Sequence, residues 1–437
     1  MKTLRNGLVL TLSAMLIASF TAGATAVAGP GEPPKTGFEE SGGAEWTTHE
    51  QELEFLDAVD SMSKRVEIDV IGKTKEGRPL HLVQLGDPAP RSVRSATKVP
   101  TILYVCSQHG NEPAGRETCL RLLRDLAFTD DPKLVEQLRN MTILFVPTAN
   151  PDGRAANTRG NSDGTDINRD HLNLVTPEGQ AMGEVVRDWK PDLSLDLHEY
   201  GPSIPVLYDD ELLYLWPRNL NVDQKVHDLA HELANEYIEP AAEEAGYSAD
   251  EYGQYEVADQ DIHQSAGDGD EGIMRNAMGL RHSLGVLVET AVSEDPRNGP
   301  QEVIDVAALQ NRRVDAHMVV ALEALRFFRE KGTEVAKETS LAMKRKTLEG
   351  KTGSAPVYFG GADNQEPEAE AVVDPPPCGY RLTGEQKGEV ATTLKILGIK
   401  ARGTFVSMAQ PAEPVIPLLL DERGTRHSVT AEPLTEC

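Results

Sequence analysis

The sequence predicts an α/β fold with a largely parallel sheet. Apolar strand signals and amphipathic helix signals alternate along most of the chain. Hydrophobic residues make up 39% and charged residues 26% of its 437 positions, the proportions of a globular protein. An apolar run of roughly 18 residues, as a membrane span requires, does not occur after the N-terminus, so a polytopic membrane protein is excluded. The net charge of -27 repels phosphate backbones, which speaks against nucleic acid as a partner.

The first 28 residues have the pattern of a secretory signal. Lys2 and Arg5 form a positive start, the apolar stretch Leu8 to Phe20 is too short to span a bilayer, and Ala26 to Ala28 supply small residues for cleavage. We therefore expect an extracellular or periplasmic protein with no membrane attachment once the signal is removed. An uncleaved N-terminal anchor is the alternative.

An ordered domain is expected over residues 45–332, after a flexible leader at 29–44 that is rich in Gly, Pro and Glu. Its elements are predicted from hydrophobic periodicity and turn residues. In chain order they are a helix Thr48 to Met62, strands Arg65 to Ile71, Leu80 to Leu85 and Thr101 to Cys106, a helix Pro113 to Phe128, a strand Thr142 to Val146, a helix Gln180 to Trp189, a strand Leu193 to Leu197, a helix Val222 to Ala245, a strand Gly285 to Val288 and a helix Gln301 to Arg329.

The composition changes after this domain. Residues 333–377 include a basic stretch and an acidic, Pro-rich stretch, which is typical of a linker. Residues 378–437 contain a helix signal near Gly384 to Leu397 and strand-like runs at Gly403 to Met408 and Val415 to Leu420. These features predict a small C-terminal α+β domain.

Four cysteines allow disulfides in an exported protein. Cys378 and Cys437 bracket the C-terminal region, and their pairing would stabilise it by roughly 4 kcal/mol in the chain-entropy model. Cys106 and Cys119 form either a second pair or two buried thiols. We favour the thiols.

The most informative polar residues follow the strand Thr101 to Cys106. His109 and Glu112 precede Pro113, which suits the first position of a helix, so both lie in a strand-to-helix turn. Parallel sheets place ligands at this carboxyl edge. An imidazole and a carboxylate there can share one metal ion.

A second histidine reaches the same edge from the strand that starts at Leu193. Alternation puts Ser194, Asp196 and His198 on one face, with His198 at the carboxyl end. Two imidazoles and one carboxylate with room for water are typical of a catalytic zinc site. A polar segment between the two strands adds Arg159, Asn168 and Arg169, groups suited to a substrate carboxylate and a developing oxyanion.

Together these motifs resemble the M14 family of zinc metallocarboxypeptidases over roughly residues 45 to 332. The resemblance is carried by His-x-x-Glu at 109–112, Asn-Pro-Asp-Gly at 150–153, Asp-Ile-Asn-Arg at 166–169, Asp-Leu-His at 196–198 and Val-Glu-Thr at 288–290. It implies a three-layer sandwich with a mixed, mostly parallel eight-stranded sheet, one zinc ion and hydrolysis of the C-terminal bond of peptides by a zinc-activated water.

The resemblance also implies a role for each residue of the motifs. His109, Glu112 and His198 would hold the zinc, and the carboxylate of Asp166 would orient the first imidazole. The remaining roles fall to four residues: an oxyanion-stabilising Arg159, a substrate-carboxylate pair formed by Asn168 and Arg169, and the general base Glu289.

One part of the family pattern is missing. Digestive-type members have a Tyr in a loop before the base, whereas no Tyr lies between Tyr255 and Glu289. Arg275 is a candidate for substrate binding in its place, and an Arg with surface contacts is the alternative. The acidic stretch Asp259 to Glu271 falls in the same region, and we interpret it as a solvated loop rather than a Ca²⁺ site.

Two other functions fit parts of these motifs. A zinc amide hydrolase of the same fold, acting on N-acyl amino acids or cell-wall peptides, would also show His-x-x-Glu and Asp-x-Asn-Arg. A non-catalytic binding module would not need the complete ligand set with its base. The preferred terminal side chain, the oligomeric state and the role of residues 333–437 have no signal in the sequence.

Overall fold

A computed structural model describes residues 31–90, 93, 99–201, 208, 210–258, 261–293 and 305–437. The predicted signal, residues 1–28, lies outside the described residues, as do Asp259 of the acidic stretch and the start of the helix predicted from Gln301. Residues 34–437 pack as one unit. Within the described ranges, no helix combines the length and the apolar character that crossing a membrane requires.

A mixed eight-stranded sheet forms the centre of this unit, with the strand order β1-β2-β4-β3-β5-β10-β6-β7. The four central strands, β4, β3, β5 and β10, are mutually parallel. Antiparallel pairs flank them, and β8 and β9 form a separate hairpin. In chain order the strands are β1 Val66–Lys73, β2 Pro79–Leu85, β3 Thr101–Cys106, β4 Thr142–Val146, β5 Leu193–Tyr200, β6 Leu212–Leu215, β7 Ala249–Glu251, β8 Gln254–Ala258, β9 Asp261–Ala266 and β10 Leu284–Ala291.

Helices cover both faces of the sheet. Ile102 and Tyr104 of β3 belong to one hydrophobic cluster, and their neighbours Leu103 and Val105 belong to another, as side-chain alternation requires. The predicted three-layer fold is thus confirmed. The α-helices are α1 Gly37–Glu40, α2 His49–Met62, α3 Ala114–Ala127, α4 Pro132–Asn140, α5 Pro151–Ala156, α6 Pro177–Trp189, α7 Gln224–Glu232, α8 Glu239–Glu244, α9 Met274–Leu280, α10 Val306–Thr352, α11 Gly384–Glu389, α12 Ala391–Ile396 and α13 Ile416–Leu420.

Two segments are more ordered than their composition predicts. In the expected flexible leader, Thr36 caps the N-terminus of α1, and the buried Phe38 stacks on Trp46 with ring centroids 4.9 Å apart. The helix predicted to end near Arg329 continues as α10 to Thr352, through the first part of the expected linker. Buried residues recur along this extension, which explains its order.

Short strands dominate the C-terminal region. β11 and β12 pair, and a second sheet has the order β14-β15-β13-β16. The run Val415 to Leu420, expected to be a strand, is instead the helix α13, in which every residue is buried. A short apolar run does not distinguish a strand from a buried helix by periodicity. The strands are β11 Val357–Tyr358, β12 Val372–Val373, β13 Gly379–Arg381, β14 Ala401–Arg402, β15 Phe405–Ser407 and β16 Glu432–Leu434.

All four cysteines are paired. Cys378 and Cys437 form the expected disulfide. Cys106 and Cys119 form a second one, so the preference for buried thiols is wrong. Both residues are buried, and the packing of α3 beside β3 brings their Cα atoms to 6.8 Å, within the range that a disulfide spans.

Candidate active site

Three ligand atoms converge at the carboxyl edge of the parallel strands. His109 and Glu112 lie in the turn between β3 and α3, and His198 lies in β5. The Nδ1 atoms of the two imidazoles are 3.0 Å apart. One carboxylate oxygen of Glu112 lies 2.9 Å from His109 Nδ1, and the other lies 2.8 Å from His198 Nδ1. All three side chains are buried, and together they form a group able to hold one metal ion.

Each imidazole is oriented through its other nitrogen. His109 Nε2 lies 3.0 Å from Asp166 Oδ1, and His198 Nε2 lies 2.8 Å from Asp196 Oδ1. Gln108 Nε2 donates to the same Asp196 oxygen at 2.6 Å. A carboxylate behind each histidine fixes the tautomer that leaves Nδ1 free for a metal.

The donor set therefore fits zinc. Two imidazole nitrogens and a carboxylate are the ligands of catalytic zinc sites, which keep one further position for water or substrate. Burial alone would raise the pKa of Glu112, but His109 and His198 hold it well below the usual range of a carboxyl. The group stays anionic, as a zinc ligand must be.

The turn that carries the first two ligands depends on close backbone contact. Ser107, the residue after β3, has a φ of 54°. A Cβ on Gly110 would lie 1.9 Å from the backbone carbon of Gly153. A larger residue at position 110 would therefore prevent the close approach of the turn after β3 to the helix α5. Asn150 caps α5 by accepting a hydrogen bond from the Gly153 amide at 2.9 Å. This contact gives a physical reason for the Asn-Pro-Asp-Gly sequence.

Glu289 lies beside the ligand group. Residues of β10 and β5 pair in parallel, and Glu289 is opposite His198. Burial and the charge of Glu112 raise the pKa of Glu289 to about 7, against the opposing influence of His198 and His109. A carboxyl with such a pKa can both take up and release a proton near neutral pH.

Two arginines line the exposed side of the site. The side chain of Arg159 is half exposed, and its Nε donates to Asp166 Oδ2 at 3.1 Å while Nη1 lies 3.4 Å from Glu112 Oε1. Arg169 is also partly exposed. Asn168 is buried instead: its Nδ2 donates to Asp196 Oδ2 at 3.0 Å, and its Oδ1 accepts from the backbone amide of Met274 at 2.8 Å. The structure thus places Arg159 and Arg169 at the cleft and Asn168 behind His198.

Arg275 lies in the buried first turn of α9. Its side chain is 1% exposed, and Nη2 donates to the carbonyl of Asp268 at 2.7 Å. In this position it supports the loop before α9, and substrate binding by Arg275 stays a prediction.

Tyr252, which no sequence motif indicated, lies close to the site. Burial and the nearby Glu289 raise the pKa of its phenol to about 12. Its ring stacks on that of Tyr208, with centroids 5.4 Å apart. Because Tyr252 lies before the segment between Tyr255 and Glu289, where the family pattern predicts a Tyr, its position along the chain gave no signal.

Comparison with known proteins agrees with this geometry. The family model for zinc carboxypeptidases matches residues 52–281, about half of the chain. The chain belongs to this family. The match includes the three ligands but ends before Glu289 and the C-terminal region. The chain is thus a member of the zinc carboxypeptidase family whose residues His109, Glu112 and His198 form a group able to hold one metal ion.

The similar proteins and solved structures also carry carboxypeptidase names. Carboxypeptidase 2 of Trichophyton equinum is 30% identical over 225 residues, which cover 50% of this chain and 42% of that protein. Carboxypeptidase E of Caenorhabditis elegans is 35% identical over 130 residues, covering 26% of this chain and 27% of that protein. The chain thus matches less than half the length of these relatives. The crystal structure of a protein assigned as a carboxypeptidase A from Shewanella denitrificans OS-217 superimposes with a TM-score of 0.50 at 20% identity, over 66% of this chain and 70% of that one, which supports the fold.

Proposed function

We propose that the chain is a secreted exopeptidase that removes the C-terminal residue of peptides, with Glu289 as general base. The observation that carries this proposal is the placement of Glu289 opposite His198, next to the buried ligand group. A site with zinc ligands alone would bind metal, whereas a carboxyl group beside them can also take up and release a proton.

The chain's own residues account for the steps around the reacting bond. Zinc, when bound, polarises the scissile carbonyl and lowers the pKa of a water molecule. The carboxylate of Glu289 takes a proton from the attacking water and delivers it to the leaving amine. Arg159, which is half exposed beside Glu112, stabilises the negative oxygen that develops on the carbonyl. One well-placed donor of this kind contributes about 3 kcal/mol to transition-state stabilisation.

Arg169 recognises the C-terminal carboxylate of the peptide substrate. Its guanidinium is partly exposed on the same side of the site as Arg159. An Arg fork is suited to a carboxylate because two N–H groups match the two oxygens. Asn168 lies one residue earlier, and its backbone carbonyl accepts a hydrogen bond from Arg169 Nη1 at 2.9 Å, which supports the side chain.

The test combines one substitution with one change of substrate. Glu289→Gln should retain zinc, measured by elemental analysis, and should lose at least about 100-fold in kcat, because the amide cannot accept the proton. Wild-type enzyme should cleave a peptide with a free terminus and spare its C-terminally amidated copy. Full activity of Glu289→Gln would refute the assigned base. Equal cleavage of both peptides would refute the exopeptidase and favour a zinc amide hydrolase.

A further inference from the structure

One arginine from the C-terminal region reaches the substrate side of the site. Arg426 lies between α13 and β16, far along the chain from the other cleft residues. Its Nε and Nη2 donate to the two carboxylate oxygens of Asp270, at 2.5 Å each. Its Nη1 lies 3.3 Å from the backbone carbonyl of Arg169. The C-terminal region is therefore in contact with the residue that we assign to the substrate carboxylate.

The backbone around Arg426 is held against the cleft by further hydrogen bonds. Thr425 Oγ1 donates to Glu271 Oε1 at 3.0 Å, and Asn173 Nδ2 donates to the Arg426 carbonyl at 2.8 Å. A Cβ on Gly272 would lie 2.5 Å from Arg426 Nε, so the guanidinium packs directly on the loop backbone. These contacts fix the arginine in a defined position.

The charges around Arg169 indicate what the contact between Arg426 and Asp270 does. The Arg169 guanidinium lies between two carboxylates, with Nη1 3.9 Å from Asp166 Oδ2 and Nε 4.0 Å from Asp270 Oδ2. Both distances exceed that of a hydrogen bond, so Arg169 makes only long ion pairs with these two anions. Burial would raise the pKa of Asp270, but its hydrogen bonds, chiefly with Arg426, lower it, and it stays anionic. A bidentate partner thus occupies the anion nearest to Arg169 Nε.

We infer that Arg426 is a positioning residue for substrate binding: by occupying the carboxylate of Asp270, it keeps the Arg169 guanidinium available for the C-terminal carboxylate of a peptide. The inference rests on the proposed function and assigns a role to the C-terminal region. Arg426 lies outside residues 52–281, the part that matches the family model.

Loss of Arg426 should therefore weaken binding through Asp270. With its partner gone, the Asp270 carboxylate would take up Arg169, only 4.0 Å away, and compete with the substrate. We expect Arg426→Gln to raise KM about tenfold, the loss of roughly one charge-assisted hydrogen bond. The kcat should change little, because the terminal carboxylate keeps its charge during the reaction and is bound equally in the ground state and the transition state.

Asp270→Asn distinguishes this mechanism from the alternative in which the Arg426–Asp270 ion pair only stabilises the loop before α9. The substitution breaks the same ion pair but also removes the competing anion, so we expect a KM at or below the wild-type value. In the Asp270→Asn background, Arg426→Gln should have no further effect on KM. If the pair merely braces the loop, Asp270→Asn and the double variant will both show a raised KM, and the inference is overturned.

Arg423→Gln is the matched control. Arg423 makes a similar bidentate pair with Asp421, at 2.8 Å for both bonds, three residues before Arg426. Its loss should leave KM unchanged, and equal effects of the two Arg→Gln variants would overturn the inference. Should Arg426→Gln not fold, as judged by thermal unfolding, Asp270→Asn decides alone.

Binding to the inactive Glu289→Gln enzyme distinguishes the inference from the proposed function. If this enzyme binds free-terminus and amidated peptides equally in calorimetry, the carboxylate role of Arg169 fails, and both proposals fall. If it prefers the free terminus and adding Arg426→Gln does not reduce that preference, only the inference is refuted.

Discussion

A buried carboxyl group that packs against the end of α10 leads to a testable prediction about the stability of the protein. Glu413 is 4% exposed and packs against Gly350 in the last turns of that helix. Burial and the charge of Glu349 raise its pKa from about 4.5 to about 7, although the nearby Lys346 opposes the shift. Glu413→Gln keeps the shape and removes the ionisable group. We expect this variant to be more stable than wild type at alkaline pH.

The size and sign of this effect on the free energy of unfolding follow from proton linkage. At low pH the side chain of Glu413 is protonated in both the folded and the unfolded state, so it costs nothing. As the pH rises from about 4.5 to about 7, the unfolded chain loses this proton first, and the free energy of unfolding falls. Above about 7 the loss is complete, at about 3 kcal/mol for a pKa difference of this size.

Urea unfolding of the zinc-loaded protein measures this difference. Between about pH 5 and about pH 8, the stability advantage of Glu413→Gln over wild type should widen by about 2.5 kcal/mol. Glu422→Gln, at an exposed position nearby, is the control and should show no such widening. An advantage that is the same at both pH values would show that Glu413 is ionised in the folded protein, and the reasoning would be refuted.

Two more predictions concern the zinc ligands and the N-terminus. Asp196→Asn should lower zinc affinity about 10-fold to 100-fold in a chelator competition, because His198 Nε2 loses its charged partner, whereas Asp163→Asn at an exposed ion pair should not. Secretion predicts that protein recovered outside the cell begins after Ala28, and an intact mass that includes residues 1–28 would contradict it.

The motif residues show how much a sequence predicts about such a site. Strand ends and alternation placed His109, Glu112 and His198 at one edge, and these three converge in the structure. Asp196 was assigned to the same face as His198, yet its contact with Nε2 depends on the side-chain conformation of a histidine, which spacing does not determine. Asn168 shows the same limit: its order in the motif was clear, but its buried hydrogen bonds were not.

Longer-range contacts were harder to predict. The Cys106–Cys119 disulfide depends on how α3 packs on β3, and the helical form of 415–420 depends on burial from all sides. Arg426 had no signal, because its partner Asp270 lies 156 positions earlier in the chain. Contacts of this kind arise from tertiary packing, which local patterns do not encode.

The length of α10 determines how the central sheet and the C-terminal region are placed along this chain. Its 47 residues extend for about 70 Å. The carbonyl of Ala321 accepts a hydrogen bond from Tyr104 at 2.9 Å under the central sheet, whereas Gly350 contacts Met408 in the C-terminal region. One residue inserted between these points would rotate everything beyond it by about 100°. An insertion within this part of the helix would therefore change the orientation of the C-terminal region, and with it the position of Arg426, relative to the central sheet.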